Sequence, residues 1–191
     1  MRVIGGALGG RRLTAPPGRA TRPTSDRVRE ALFNVLGNVA GAVVLDLYAG
    51  TGALAIEALS RGASRAVLVD SGRPALAVLR DNIASLGLGD RTKVLPLPVL
   101  RAMANLGGLG PFDLVFVDPP YAELDEAAKV LSLLVPLCSA EATIVLEHAS
   151  RDAAPEVDAL RRLETRAYGD TSISLYTVEN GEFEKGEFEV R

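Results

Sequence analysis

The sequence has almost none of the residues that staple or metallate a fold. Its 191 residues include one cysteine, Cys138, and one histidine, His148. A single thiol excludes an intrachain disulfide framework and a cysteine-based zinc cluster. A single imidazole argues against a His-rich metal centre. Long apolar runs are missing too. The stretch from Val130 to Cys138 is typical of the longest, well short of the ~20 residues that cross a bilayer. The opening Met1-Arg2-Val3-Ile4-Gly5-Gly6 lacks the apolar core of a signal peptide. Hydrophobic residues make up 48% and charged residues 24%, the balance of a globular chain. A chain of this length buries roughly 70% of its unfolded surface without staples. The expectation is a soluble cytoplasmic protein, monomeric, with no metal and no membrane partner.

Charge is split along the chain. The net charge is −3. Yet residues 1–30 hold Arg2, Arg11, Arg12, Arg19, Arg22, Arg27 and Arg29 against Asp26 and Glu30, so the rest of the chain is acidic. Every basic group in that first segment is arginine, whose planar fork pairs with phosphate and stacks on bases. A basic arm on an acidic body suits a polyanion met at one end. A solvated arm with no partner fits the charge count equally well.

From Val43 onward, apolar strand-like runs alternate with helical patterns. Strands are expected at Val43–Leu47, Ala66–Asp70, Thr92–Leu97, Asp113–Asp118 and Thr143–Glu147. Helices are expected at Ala53–Ser60, Arg73–Leu86, Leu100–Leu106 and Leu124–Leu137. Continuous apolar strands in a β-α rhythm mean a parallel sheet covered on both faces. Leu163–Tyr168 and Ser172–Val178 are separated only by Gly169-Asp170-Thr171, too short for anything but an antiparallel pair. A mostly parallel seven-stranded sheet closed by an antiparallel hairpin is the class I methyltransferase outline, a Rossmann-like α/β fold. Before it, Val3–Leu13 reads as a small hairpin, 16–23 as a Pro/Arg loop, and Thr24 or Ser25 as the cap of a helix to about Leu36. The expected organisation is a basic appendage over 1–40, a methyltransferase domain over 41–180 and a disordered acidic tail over 181–191.

Two motifs carry chemistry. The first, Asp46-Leu47-Tyr48-Ala49-Gly50-Thr51-Gly52, follows the first parallel strand and opens a helix. Open α/β sheets bind ligands at this carboxyl edge. Asp70, ending the second strand, offers a carboxylate to two ribose hydroxyls. Gly50-x-Gly52-x-x-Ala55 with Asp70 also satisfies a dinucleotide fingerprint, so NAD and S-adenosylmethionine (SAM) both fit the glycines. Asp46 favours SAM, because an acid before the turn would repel a pyrophosphate but suits a cationic methionine end. Tyr48 lies in the same turn, where packing and cofactor contact are equally open.

The second motif is Asp118-Pro119-Pro120-Tyr121, after the apolar run 112–117. The prolines present carbonyls and no N–H, and Asp118 is held extended by the proline that follows. Acceptors beside a flat ring suit an exocyclic amine on a nucleobase. Hydrogen bonds to Asp118 and the Pro119 carbonyl would localise the amine's lone pair, and positioning would meet much of the barrier. Asp118 would also stabilise positive charge developing on nitrogen. Tyr121 would stack on a flipped base, worth ~1–3 kcal/mol, against an unstacking cost of roughly a few kcal/mol. A C5-cytosine mechanism needs a thiolate, and Cys138 reads instead as a small buried apolar residue. For His148 a surface or strand-end role is expected rather than catalysis.

With these residues in view, the chain resembles the RsmD family of amino-directed methyltransferases, which methylate N2 of a guanine in small-subunit (16S) ribosomal RNA. The resemblance covers about residues 2–178. It rests on Arg2-Val-Ile-Gly-Gly with Gly10-Arg-Arg-Leu13, on Arg22-Pro-Thr24, and on Arg27-Val-Arg-Glu-Ala-Leu-Phe-Asn34. The 46–52 turn, the 118–121 tetrapeptide and Tyr168-Gly-Asp-Thr171 complete it. The resemblance implies that Asp46, Gly50 and Gly52 line the methionine side of SAM, with Tyr48 and Thr51 in the same turn. It implies that Asp70 holds the ribose and that Asp118, Pro119, Pro120 and Tyr121 hold the guanine. Arg22, Thr24 and Arg27 would stand near the substrate mouth, and the remaining N-terminal arginines, Arg11 and Arg12 among them, on RNA phosphates. Family members often carry a polar pair where this chain has Pro98-Val99, so adenine recognition would lean on apolar contact from 97–99. A DNA amino-methyltransferase, an NAD(P)-binding oxidoreductase and a non-catalytic RNA-binding protein remain the alternatives.

Overall fold

A computed structural model describes residues 1–15, 26–120 and 124–179. Seven strands form one sheet: β1 (Val43–Leu47), β2 (Arg65–Val69), β3 (Thr92–Leu95), β4 (Phe112–Val117), β5 (Cys138–Ala149), β6 (Leu160–Tyr168) and β7 (Thr171–Val178). Their order is β3-β2-β1-β4-β5-β7-β6. The first five are parallel, and β7 runs antiparallel to both β5 and β6. This is the class I methyltransferase arrangement that the strand pattern implied.

Among the described residues, five α-helices accompany the sheet: α1 (Asp26–Leu36), α2 (Ala53–Ser60), α3 (Arg73–Ser85), α4 (Val99–Ala102) and α5 (Leu124–Leu134). Alternate strand residues enter two separate cores. Val44, Leu68, Leu114 and Phe116 pack with Leu32 and Phe33 of α1, Ile56 and Leu59 of α2, and Leu79 of α3. Leu45, Leu47, Val69, Val115 and Val117 pack with Ala102 of α4 and Val130, Leu131 and Leu134 of α5. Among the described residues, no helix is long and apolar enough to cross a membrane.

Several element ends differ from the sequence reading. The helix expected to reach Leu137 stops at Leu134 and tightens into a 3-10 turn over Val135–Leu137, where Pro136 supplies no N–H to continue the α pattern. The short helix near residue 100 likewise ends in a 3-10 turn, Met103–Asn105. Strand β5 begins at Cys138, because that residue pairs with Phe112 across a register shift in β4. The β6–β7 turn is two residues, with Gly169 at φ +68° and Thr171 already paired to Tyr168.

The expected N-terminal hairpin exists in miniature. Arg2 and Arg12 form an antiparallel bridge, the Val3 N–H donates to the Arg11 carbonyl (2.9 Å) and the Leu13 N–H to that of Met1 (3.1 Å). It sits against the end of α2. Gly6 has φ +74°, and a Cβ there would lie 1.9 Å from the Ser60 carbonyl oxygen, so no other residue fits. Glu57 fastens the contact. Its carboxylate, fully buried, accepts the Ile4 N–H (2.7 Å), the Gly5 N–H (2.9 Å) and Arg61 Nε (2.7 Å).

One expectation about the basic arm is corrected here. Arg29 is 1% exposed and belongs to the interior. It donates to the Arg2 carbonyl (2.5 Å), pairs with Asp26 (3.0 Å) and lies 3.8 Å from Glu57. Arg29 therefore cannot serve RNA phosphates. A count of charge along a sequence is blind to which face of a helix carries it.

Candidate active site

Strand register brings the chemistry to one edge. Leu47 pairs with Val69 on one side and Val117 on the other, and Val117 pairs with Leu146. The next residues, Asp70, Tyr48 and Asp118, therefore follow directly on β2, β1 and β4, level with Glu147 inside β5. Asp70 and Asp118 stand two strand spacings apart, roughly 10 Å.

Asp46, inside β1, is 2% exposed. It accepts the Ala55 N–H (3.1 Å) from the first turn of α2, so a strand residue does the work of a helix cap. Burial pushes its carboxyl up to about 7, against the effect of that hydrogen bond and with help from Asp70. Asp118 is pushed well above the ordinary carboxylate range, first by burial and then by Glu147 and Asp46. Acidic groups this crowded favour a positively charged ligand. Among the described residues no group of three or more His, Cys, Asp or Glu is placed to hold a metal.

Asp70 holds the glycine turn open. Its oxygens accept the Gly50 N–H (2.8 Å) and the Gly72 N–H (2.7 Å). Each oxygen keeps a further acceptor direction, so a diol can still be bound there. The two glycines have different reasons to exist. Gly50, at φ +56°, faces open space, with only the Tyr48 carbonyl 3.8 Å from where a Cβ would stand. Gly52, at φ +78°, has Leu79 Cδ1 2.4 Å from that point, so it is required by the packing of α3. Tyr48 has φ +60°, an uncommon state for an aromatic residue. Its hydroxyl donates to Glu126 of α5 (2.8 Å). The open reading of Tyr48 thus acquires a definite contact, joining the turn to the helix that follows the 118–121 segment.

The other candidates are less concentrated. Pro119 is buried and Pro120 exposed. Val99 is buried in the core with Leu45 and Val69, while Pro98 is exposed before α4. Arg11, Arg12 and Arg27 are exposed, and Arg11 donates to the Ser85 carbonyl (3.0 Å). Arg22, Thr24, Tyr121 and the tail from residue 180 lie outside the described residues.

Of the surface or strand-end role expected for His148, the structure has the strand end and not the surface. His148 is 4% exposed, within β5, with Nδ1 3.1 Å from the Ala149 carbonyl and Nε2 2.9 Å from Ser174 Oγ. Cys138 is half-buried, and burial, with Asp113 nearby, pushes its thiol up to about 12. So little thiolate exists at neutral pH that Cys138→Ala is expected to retain full activity, measured as turnover against wild type. Glu57 and Asn82 are the polar residues that sequence reasoning missed. An i,i+4 partner in Arg61 was visible for Glu57, and nothing marked Asn82.

Comparison with known proteins agrees with this geometry. Residues 1–177 match the family described as Conserved hypothetical protein 95. The chain is 37% identical over 182 residues to "Putative rRNA methyltransferase YlbH" of Bacillus subtilis, covering 92% of this chain and 98% of that protein. It is 38% identical over 183 residues to "Ribosomal RNA small subunit methyltransferase D" of Escherichia coli, covering 94% and 90%. The solved structure of "Putative methyltransferase yhhF" from Escherichia coli superposes with a TM-score of 0.79 at 35% identity, covering 94% of this chain and 98% of that one.

Proposed function

We propose, for a chain that belongs to the Conserved hypothetical protein 95 family and to that of ribosomal RNA small subunit methyltransferase D, methylation of the exocyclic N2 amine of a guanine in 16S ribosomal RNA, with SAM as donor. The observation that carries this reading is the strand register, which sets Asp70 and Asp118 just beyond β2 and β4 on either side of β1, the strand that holds Asp46. SAM, when bound, supplies an activated methyl group on a cationic sulfur. The carboxylates here fit such a cation better than they fit the pyrophosphate of a dinucleotide.

The chain's own residues then divide the work. Asp46 faces the cationic methionine end, Asp70 accepts the ribose hydroxyls, and Gly50 leaves room above the turn. One Asp118 oxygen and the Pro119 carbonyl accept the two N–H groups of the guanine amine. Held by two acceptors, the nitrogen is drawn toward a tetrahedral geometry and its lone pair leaves the ring system. Asp118 offsets the positive charge that gathers on nitrogen. The surplus proton passes to water, so no general base is required. Tyr121 stacks on the base. Exposed Arg11, Arg12 and Arg27, with Arg22 and Thr24, meet the RNA.

Labelled SAM offered to unmethylated small-subunit particles, naked 16S RNA and duplex DNA tests the reading. Label on guanine N2 in the RNA is expected. Label confined to DNA, or micromolar NADH binding without SAM binding, would overturn it.

A further inference from the structure

Two acceptors for an exocyclic amine suit adenine and cytosine as well as guanine. What sets guanine apart is the neighbour of its amine. Guanine carries an N1–H there, whereas the ring nitrogens beside the amines of adenine and cytosine carry lone pairs. An enzyme reads an extruded base along this edge. A site selective for guanine therefore gains from a third acceptor next to the two that hold the amine.

Strand register supplies one. Val117 of β4 pairs with Leu146 of β5, so Asp118 and Glu147 come next on neighbouring strands, one strand spacing apart, roughly 5 Å. Alternation turns both to one face. Phe116 and Val145, two positions before each, enter the core shared with α1 and α2, and so does Ile173, which pairs with Glu147 across β7. Glu147 is 9% exposed. After burial itself, its charge is what raises the Asp118 carboxyl most, a sign of how near the two lie. A carboxylate has about four acceptor directions, so Glu147 can take a base N–H beside another partner.

We propose that Glu147 reads the base: its carboxylate accepts the guanine N1–H while Asp118 and the Pro119 carbonyl hold the N2 amine. The inference rests on the methyl-transfer reading of Asp118. Adenine or cytosine would turn a ring-nitrogen lone pair toward the Glu147 carboxylate, with no proton between them. Selectivity then comes from repulsion of the wrong base as well as attraction of the right one.

The test maps the guanine that the wild type labels, then compares reconstituted small-subunit particles carrying guanine or 2-aminopurine at that position. 2-Aminopurine keeps the purine frame and the 2-amine but has a lone pair at N1. The wild type is expected to prefer guanine in kcat/KM on the order of a thousandfold. Glu147→Gln presents an N–H that can donate to that lone pair. It is expected to raise the 2-aminopurine rate and bring the preference within about tenfold. Glu147→Ala is expected to narrow the preference by slowing guanine alone. A ratio of two rates on one preparation does not depend on the fraction of the variant that is folded. A structural role would slow both bases together and leave the ratio unchanged, which would overturn the inference and leave Asp118 as the reader. So would a wild type that treats both bases alike. A wild type that labels no guanine would instead overturn the functional reading beneath it.

Discussion

Asp118→Asn is expected to lower kcat by about 10²–10³ while leaving S-adenosylhomocysteine binding and the melting temperature close to wild type. The substitution keeps the shape of the side chain and removes its charge. An amide oxygen still accepts one N–H of the guanine amine, but it carries no negative charge to offset a nitrogen becoming positive. Single-turnover methyl transfer on small-subunit particles measures the loss. A rate within threefold of wild type, about 0.7 kcal/mol, would remove Asp118 from the chemistry. pH gives a second reading of the same group. Burial, Glu147 and Asp46 raise the Asp118 carboxyl, so it takes up a proton at a higher pH than an ordinary carboxylate. A protonated Asp118 loses acceptor strength, and the rate is expected to fall as pH falls, beginning above the usual carboxylate range.

Asp46→Asn is expected to separate stability from function. In the folded chain the Asp46 carboxyl is raised from 3.8 to about 7. Between those values the native state holds a proton that the unfolded chain has lost. Stability from this group is thus fully present below pH 3.8 and is lost as pH rises through about 7. Asparagine has no such slope, and its side-chain oxygen can still accept the Ala55 N–H. Ligand-free Asp46→Asn should therefore melt higher than wild type at pH 8, by ~2–4 °C for each kcal/mol relieved, and the difference should shrink toward pH 5. Cofactor affinity should move the other way, weakening on the order of 30-fold or more as a charge partner is lost. Thermal melts at both pH values and titration with SAM check the pair. A variant no more stable than wild type at pH 8 would mean the carboxyl is not under strain.

Both motifs and the strands of the sheet were legible because each depends on neighbours in sequence. Alternation places β1 to β5, the glycines punctuate 46–52, and two prolines stop β4 at Asp118. What sequence could not show depends on contacts across the chain. Glu57 receives N–H groups from Ile4 and Gly5, more than fifty residues away. Arg29 counts as surface charge until the helix is seen packed beneath Arg2. Gly52 reads as a cofactor glycine, and at φ +78° it also stands where a Cβ would come within 2.4 Å of Leu79 Cδ1. Val99 was expected at the adenine, and the core claims its side chain.

The seating of the first residues has a practical side. The Met1 carbonyl accepts the Leu13 N–H, and Met1 sulfur lies 3.8 Å from the Thr51 hydroxyl. The other end of the fold is different: Thr177 of β7 pairs with Thr143, so Val178 leaves the sheet on the side opposite Asp118. An affinity tag fused ahead of Met1 is expected to crowd the Gly50–Gly52 turn. The end of β7, by contrast, lies on the opposite rim from that turn.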